Sequence, residues 1–201
     1  MKDLRRRVRP VEPTEAAILI LGESGTGKEL IAGSIHHSSQ RREETYVRLN
    51  CAAIPETLLE SELFGHEKGS FTGAVKQKTG QVEEANGGTL FLDEIGGMSR
   101  SLQAKLLRFL EDGTFVRVGG TEEQRVDVRI LAATNRDIID AIETGDFRED
   151  LYHRLNVVQL RVAPLRDRDG DVTLLAEHFL SGFARKMNKQ FQPLSSEVRH
   201  M

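Results

Sequence analysis

The stretch Gly22-Glu-Ser-Gly-Thr-Gly-Lys-Glu29 directly follows the apolar run Ala17-Ile-Leu-Ile-Leu21. It matches the pattern G-x-x-x-x-G-K-[ST] after a strand, except that Glu29 stands where a serine or threonine would bind a metal ion. Glycines let backbone N–H groups converge on a phosphate, the following helix offers its positive N-terminus, and Lys28 adds a point charge. The sequence therefore predicts a nucleotide-binding loop formed by Gly22, Glu23, Ser24, Gly25, Thr26, Gly27, Lys28 and Glu29.

Length and charge restrict the class of protein. The chain has 201 residues, enough for one domain of ordinary size and part of a second. Its single cysteine, Cys51, excludes an intrachain disulfide and a cysteine-based zinc site. No apolar run approaches the roughly 20 residues that span a bilayer, so we expect a cytoplasmic protein without membrane contact. The net charge of −3 gives no overall attraction to nucleic acid, and the basic cluster Arg5–Arg9 is interpreted as a solvated helix end or linker.

Short apolar segments alternate with helical patterns along the chain. Strands are predicted at 17–21, 46–50, 89–92, 128–133 and 157–160, and helices at 29–37, 55–64, 99–110 and 171–187. This alternation favours an α/β fold with a mostly parallel five-stranded sheet and helices on both faces. Ligands of such sheets bind beyond the carboxyl ends of the strands. A charged break at 164–171 predicts an α/β domain at 1–165 and the start of a truncated helical domain at 166–201.

Two adjacent carboxylates, Asp93 and Glu94, end the apolar strand Leu90-Phe-Leu92. Burying such a pair without a cation is costly, so we expect Asp93 to bind Mg²⁺ and Glu94 to polarise an attacking water. A strand end on the surface could also carry the pair harmlessly, but its combination with the glycine loop favours a site. The next strand ends at Thr134-Asn135, close to the expected γ-phosphate, although Thr-Asn is also a common helix start.

Two arginines, Arg148 and Arg154, lie six residues apart. On an ideal helix six residues turn by about 600°, so the two side chains point roughly 120° apart and cannot both reach one phosphate from a straight helix. One could instead reach the nucleotide of a neighbouring subunit, where such an arginine is worth about 10³–10⁵ in rate. The segment could also be bent. The spacing alone favours a surface helix in which Arg148, Glu149 and Asp150 pair their charges.

Six segments together resemble a known family, the central AAA+ domain of bacterial enhancer-binding proteins, which are NtrC-like activators of sigma-54 RNA polymerase. In chain order they are GESGTGKE, LNCAAI, SELFGHEKGSFTGA, GGTLFLDEI, VRILAATNRD and FREDLYHRLNV. The resemblance covers residues 9–166 and the helix that follows, and the stretch GxFTGA is specific to this clade. The family's phosphate loop also ends in Lys-Glu, so Glu29 does not argue against ATP binding, although it removes the usual hydroxyl from the metal shell.

The resemblance implies a role for each residue of an ATPase site that binds ATP and Mg²⁺. Lys28 would contact the β- and γ-phosphates, Asp93 would hold the metal, and Glu94 would activate water. Asn50 would hold Glu94 in an inactive orientation until the γ-phosphate state changes. The remaining assignments are Thr134 and Asn135 as the γ-phosphate sensor, and Arg148 and Arg154 as arginines supplied to a neighbouring subunit, which reverses the preference from spacing.

The resemblance also implies a loop that contacts the sigma-54 factor. Two glycines flank its Ser-Phe-Thr tip, which favours a mobile hairpin with an exposed aromatic anchor. The residues alone favour a surface turn whose phenylalanine packs inward. The family has alanine at the second position of this loop, and a second hairpin near Glu111–Thr121 is expected beside it. The loop residues are Gly69, Ser70, Phe71, Thr72, Gly73 and Ala74.

As a whole, the resemblance implies a ring of six subunits that hydrolyses ATP and converts the closed promoter complex of sigma-54 polymerase to the open one. Promoter DNA would be contacted only indirectly, because the DNA-binding domain, the sensory domain and a second sensor arginine are expected outside this chain. Three alternatives stay open. They are another AAA+ machine such as a DNA translocase or chelatase, a nucleotide-binding module that only controls oligomerisation, and a nucleic-acid-binding protein that uses Arg5–Arg9.

Overall fold

The computed structural model describes residues 8–168, 170–190 and 194, so most of the basic cluster at Arg5–Arg9, and parts of the predicted helical domain, lie outside the described residues. The chain divides into two compact units, and the boundary in sequence falls between Val162 and Ala163. None of the described helices is both long and apolar enough to cross a membrane.

The first unit contains a five-stranded sheet in which every neighbouring pair of strands is parallel. Its order is β2-β3-β6-β1-β7, and β4 and β5 form a separate antiparallel hairpin. The predicted α/β class with a mostly parallel five-stranded sheet is confirmed. The strands are β1 Ile18–Leu21, β2 Tyr46–Asn50, β3 Thr89–Asp93, β4 Thr114–Val116, β5 Glu123–Arg125, β6 Arg129–Thr134 and β7 Val158–Arg161.

Helices precede and follow these strands along the chain. Four of the seven α-helices in the described part of the chain match predicted segments to within two residues at each end, whereas the short α3 and α5 were not predicted. The helices are α1 Lys28–His37, α2 Glu56–Phe64, α3 Gln81–Glu84, α4 Arg100–Asp112, α5 Ile138–Glu143, α6 Glu149–Leu155 and α7 Asp171–Lys186.

Apolar cores lie on both faces of the sheet, which explains why the central strands read as continuous apolar runs. Successive side chains of a strand point to opposite faces. In β3, Leu90 and Leu92 therefore enter a core with α2, α4 and α6, whereas Phe91 enters the other core with Ile31 and Ile35 of α1. This packing fixes the register of the sheet, and with it the position of each strand end.

The carboxyl ends of the strands meet at one edge because the strands are parallel. Asn50 pairs in register with Asp93 across β2 and β3. Leu21, directly before the glycine loop, pairs with Thr134 across β1 and β6. The sheet thus brings together the ends of four segments that are far apart in sequence.

The second unit is dominated by α7, which starts after Gly170 in a left-handed conformation and has no buried residue. Large apolar side chains such as Leu174, Phe179 and Phe183 are exposed on it. The identity of this segment as the start of a lid domain stays a prediction.

Candidate functional site

A cavity of about 650 Å³ lies beyond the carboxyl ends of β2, β3 and β6. Its volume falls within the range of roughly 300–1,000 Å³ that is typical of small-molecule sites. The cavity is lined by residues 24–30 of the glycine loop and α1, and by Asn50, Asp93, Glu94 and Asn135. The loop, the acidic pair and part of the predicted sensor therefore face one space.

The glycine loop has the backbone that a phosphate cradle requires. Gly25 and Gly27 adopt positive φ angles of 76° and 92°, and a Cβ at Gly25 would meet nothing within 4 Å. Gly27 directly precedes α1, so the unpaired N–H groups of that helix start open toward the cavity. At Gly22 the need is different, because a Cβ there would lie only 2.9 Å from the carbonyl oxygen of Val162.

Lys28 carries the cation of this site. Its side chain is 6% exposed, and its Nζ donates to the carbonyl oxygens of Gly22 at 3.0 Å and Glu23 at 3.3 Å. The same Nζ lies 3.3 Å from Oε1 of Glu94. The ammonium group is thus held between the loop and the acidic pair, at the wall of the cavity.

The acidic pair has an unusual backbone. Glu94 is left-handed, with φ of 55° and ψ of 44°, and its N–H donates to Oδ1 of Asp93 at 3.0 Å. A non-glycine residue in this conformation costs about 1–3 kcal/mol, and such strain clusters at functional sites. Oε2 of Glu94 accepts from the backbone N–H of Asn135 at 3.0 Å. The strained turn therefore directs the Glu94 carboxylate toward Asn135, at the end of β6.

The carboxyl of Asp93 suits a divalent cation. Burial and the neighbouring charge of Glu94 raise the pKa of Asp93, while Lys28 partly opposes them. A cation bound at this carboxyl would relieve the cost of its charge. Glu29 is turned toward Arg48 of β2, with which it forms an ion pair. Among the described residues no three potential protein ligands surround one point, so Mg²⁺ would depend on Asp93, phosphate oxygens and water, as it commonly does.

The other residues of the predicted site are placed as follows. The side-chain oxygen of Asn50 accepts from the N–H groups of Ala52 at 3.0 Å and Ala53 at 3.1 Å. In this structure Glu94 bonds to Lys28 and Asn135 instead, so a hold by Asn50 stays a prediction. Thr134 is fully buried and its hydroxyl accepts from the N–H of Arg136, whereas Asn135 lines the cavity.

The two arginines lie outside the cavity of their own chain. Arg148 stands before α6 in an extended conformation, and its guanidinium donates to Asp150 at 2.9 and 2.6 Å. Arg154 lies within α6 and donates twice to the carbonyl oxygen of Leu110, at 3.1 and 2.9 Å. The charge pairing expected from spacing is present for Arg148 and Asp150. A role of either arginine at a neighbour's nucleotide stays a prediction.

The loop Gly69–Ala74 is a tight turn rather than an extended hairpin tip. The N–H of Gly69 donates to the carbonyl of Ala74 at 2.8 Å, and Ala74 is buried. Phe71 is 37% exposed, and its ring packs against His66 with 4.9 Å between the ring centroids. His66 is in turn fixed by Ser61, whose hydroxyl lies 2.7 Å from Nδ1. Phe71 is thus an exposed side chain whose ring rests on His66, and its role as an anchor for the sigma-54 factor stays a prediction.

The hairpin β4–β5 lies beside this loop, a few residues later in the chain than expected. Arg117, between its strands, forms ion pairs with Glu67 at 3.1 Å and Glu83 at 2.8 Å. Ser70 packs against Gly119 so closely that a Cβ on the glycine would lie 2.4 Å from that of Ser70. Arg117 and His66 were missed by the sequence analysis, because nothing local marks an arginine in a hairpin or a histidine in a loop as a contact.

Comparison with known proteins places the chain in a family. Residues 1–161 match the model of the Sigma-54 interaction domain. The Nif-specific regulatory protein of Azotobacter vinelandii is 56% identical over 199 residues, which is 99% of this chain and 38% of that protein. The chain thus spans about two fifths of the length of this relative.

Solved structures agree with this placement. NtrX from Brucella abortus in complex with ATP has a TM-score of 0.89 and 40% identity, over 100% of this chain and 45% of the other. The P-loop NTPase domain of the Sigma-54 transport activator from E. coli, at 19% identity and a TM-score of 0.55 over 82% of this chain and 94% of the other, supports the fold alone. With its AAA+ P-loop NTPase fold, the chain belongs to the Sigma-54 interaction domain family.

Proposed function

We propose that this chain is the ATP-hydrolysing core of a sigma-54-dependent transcriptional activator, a ring-forming ATPase that converts the closed promoter complex to the open one. The observation that carries the proposal is the convergence of Lys28, Asp93 and Glu94 on one cavity beside the glycine loop. Family membership supports the choice of partner, and the ATP complex of NtrX supports the choice of nucleotide.

Binding would begin at the loop Gly22–Glu29. Its N–H groups and the start of α1 surround the β-phosphate, and Lys28 exchanges its carbonyl partners for β- and γ-phosphate oxygens. Asp93 would hold Mg²⁺ together with water, and the chemistry that the ion would supply there is neutralisation of charge on the phosphates. Binding of a cation would also offset the cost of the charge on the partly buried Asp93 carboxyl, whose pKa is raised.

Hydrolysis requires a water molecule in line with the bond between the γ-phosphorus and its bridging oxygen. Glu94 accepts a hydrogen bond from that water while its other oxygen stays on the N–H of Asn135. Attack forms a P–O bond to the water oxygen, breaks the bond between the γ-phosphorus and ADP, and passes a proton of the water to the Glu94 carboxylate. Lys28 and an arginine from a neighbour stabilise the charge that develops. The carboxylates of Asp93 and Glu94 face Lys28, and this arrangement favours an ATPase over a protein module that only binds nucleotide.

A neighbouring subunit is part of the proposal, and the position of Arg148 and Arg154 outside the cavity of their own chain supports it. Arg148 and Arg154 would complete the site of the next subunit, in a ring of six. Because the interface joins two different surfaces of each copy, repeated contacts close into a ring or continue as a filament. We place this assembly in the cytoplasm, where its polymerase partner acts.

In this proposal, ATP hydrolysis moves the loop Gly69–Ala74. In the structure Phe71 rests on His66, and the hairpin is tied beside it by Arg117. Loss of the γ-phosphate alters the contacts of Glu94 and Asn135, and a two-state shift of the loop then exposes or withdraws Phe71. The exposed phenylalanine and Thr72 would grip the sigma-54 factor.

The test is the ATPase rate per subunit of the full-length protein against protein concentration. Shared sites predict that the rate per subunit rises with concentration and then saturates. Lys28→Ala should abolish ATP binding, and Glu94→Ala should keep binding but lose turnover. Phe71→Ala should keep turnover and lose sigma-54 binding in a transition-state analogue complex. Full turnover by isolated single copies would contradict the proposal, and so would unchanged sigma-54 binding by the Phe71 variant.

A further inference from the structure

Gln103 is a polar side chain in the apolar core. It lies on α4, one turn before Leu106, and it is fully buried. A buried amide is costly unless its donors and acceptor are paired. Here both ends of the side chain are paired, and every partner is a backbone group rather than a side chain.

The amide joins two separate segments of backbone. Its Nε2 donates to the carbonyl oxygen of Met98 at 2.8 Å and to that of Asp146 at 2.9 Å. Its Oε1 accepts from the N–H of Arg148 at 2.8 Å. One side chain thus holds the backbone on both sides of Phe147 and links it to Met98.

Both segments belong to the proposed reaction. Met98 follows Glu94 by four residues, through the single turn Ile95–Gly97. The carbonyl of Gly96 in that turn accepts from the guanidinium of Arg136, next to the sensor residue Asn135. The second segment ends at Arg148, whose backbone sets where its side chain leaves the fold.

We propose that Gln103 is the positioning residue of Arg148: its amide fixes the arginine relative to the turn behind Glu94, so that the guanidinium is presented at the nucleotide of the neighbouring subunit. This inference rests on the proposed function. The same helix also holds Arg154, through the carbonyl of Leu110. Helix α4 therefore positions both arginines. Near its start, the side chain of Gln103 binds the backbone N–H of Arg148, and near its end the carbonyl oxygen of Leu110 binds the guanidinium of Arg154.

Misplacement of Arg148 should produce a particular kinetic defect. Gln103 does not line the cavity, so Gln103→Met, which is similar in volume and lacks the amide, should leave the Kd for ATP unchanged. Turnover should fall by about 10²-fold, the loss expected for a misplacement of about 1 Å. A residue that only stabilises the fold would lower ATP binding and turnover together.

Subunit mixing separates a defect at the neighbour's site from any other defect. The full-length Gln103→Met protein has an intact nucleotide loop and a misplaced arginine, whereas Lys28→Ala has the reverse. In an equimolar mixture, about one interface in four pairs the intact loop with the intact arginine, because each interface joins two different surfaces. Turnover of the mixture should therefore rise to about one quarter of the wild-type rate, with Arg148→Ala mixed in the same way as the matched control.

ATP turnover of the mixtures and of the single variants decides between the outcomes. Recovery of turnover when Lys28→Ala is mixed with Gln103→Met, and also when it is mixed with Arg148→Ala, supports the inference. Two results overturn it while leaving the proposed function intact. One is recovery of turnover in the mixture of Lys28→Ala with Arg148→Ala but not in the mixture with Gln103→Met. The other is full turnover by unmixed Gln103→Met protein. Full turnover by Arg148→Ala overturns the arginine assignment of the proposed function and the inference with it. Should Gln103→Met fail to bind ATP, Gln103→Asn keeps an amide that is one methylene too short, and the same results apply to it.

Discussion

Replacing Ser70 by alanine should stabilise the nucleotide-free protein. The hydroxyl of Ser70 is buried and has no hydrogen-bond partner among the described residues. Its Cβ packs directly on Gly119 of the neighbouring hairpin, and alanine keeps that contact. An unpaired buried hydroxyl costs about 1–3 kcal/mol, and we take about 1 kcal/mol because the residue as a whole is only partly buried.

The gain should appear in unfolding and in the state of the loop. For a chain of this size about 1 kcal/mol raises Tm by roughly 2–4 °C. Because Ser70 adjoins Phe71, the same energy shifts the balance between the packed and released loop about fivefold toward the packed state. Thermal unfolding measures the first effect, and hydrogen exchange of the amides at Phe71–Gly73 measures the second. Thr72→Ala, at an exposed position of the same turn, should stay within about 0.5 kcal/mol of the wild type.

A lower or unchanged Tm for Ser70→Ala, with Thr72→Ala neutral, would refute the reasoning. It would mean that the hydroxyl finds a partner in solution and that its bond stabilises the loop. A higher Tm without slower exchange at Phe71–Gly73 would refute the second step alone, since the loop would then be released independently of Ser70. If both steps hold, Ser70→Ala should also weaken sigma-54 binding in the absence of nucleotide.

Two further predictions concern the sheet and its acidic end. Asp93→Asn should raise Tm near neutral pH, because burial and the charge of Glu94 raise the pKa of Asp93 and make its carboxylate form destabilising. The wild type regains this stability when the carboxylate is protonated, as pH falls through the raised pKa. Thermal unfolding measured between about pH 4 and pH 8 should therefore show that the higher Tm of Asp93→Asn disappears in acid. Turnover of ATP should be lost at every pH. Gly88→Ala should destabilise by about 3 kcal/mol in urea unfolding, because its Cβ would lie 2.1 Å from the backbone oxygen of Thr45. Gly87→Ala, where a Cβ meets nothing within 4 Å, should cost only the roughly 1–2 kcal/mol of its left-handed backbone, and equal losses for the two variants would contradict the steric argument.

The nucleotide site could be predicted because its signals are local. A parallel strand buried on both faces must be apolar throughout, and its polar continuation must then lie at the edge of the sheet. Leu90-Phe-Leu92 followed by Asp93-Glu94 therefore indicates both a strand and the direction of its end. The structure extends this strand by one residue to Asp93 and pairs that residue with Asn50. The left-handed turn at Glu94 had no local signal, since glutamate rarely adopts it.

The surroundings of the loop Gly69–Ala74 could not be predicted because they are tertiary. Phe71 is covered by His66, which is oriented by Ser61 from the preceding helix. Ser70 packs against Gly119, 49 residues later in the chain. Two glycines around an aromatic residue are compatible with a released tip or a packed turn. The choice depends on the hairpin that happens to lie beside the loop.

The arginines illustrate an error of premise rather than of arithmetic. The comparison of their directions assumed one straight helix, but Arg148 precedes α6 and only Arg154 lies in it. A better signal was available on another element. Position 103 lies three and four residues before Leu106 and Leu107, on the stripe that the helical pattern of α4 marks as apolar, yet it carries glutamine.

A polar side chain at a position that the pattern marks as buried must find backbone or side-chain partners, so it indicates which distant segment is fixed there. Gln103 binds a segment more than 40 residues later in the chain. Arg129 follows the same logic in β6: it is 1% exposed and donates to the carbonyl oxygens of Val11 and Glu12, more than 100 residues earlier. In both cases the distant segment supplies partners that offset part of the cost of burying the polar group, although Nε of Arg129 has no hydrogen-bond partner among the described residues. The exceptions to the apolar pattern, rather than the pattern itself, therefore specify how the loops around this sheet are held.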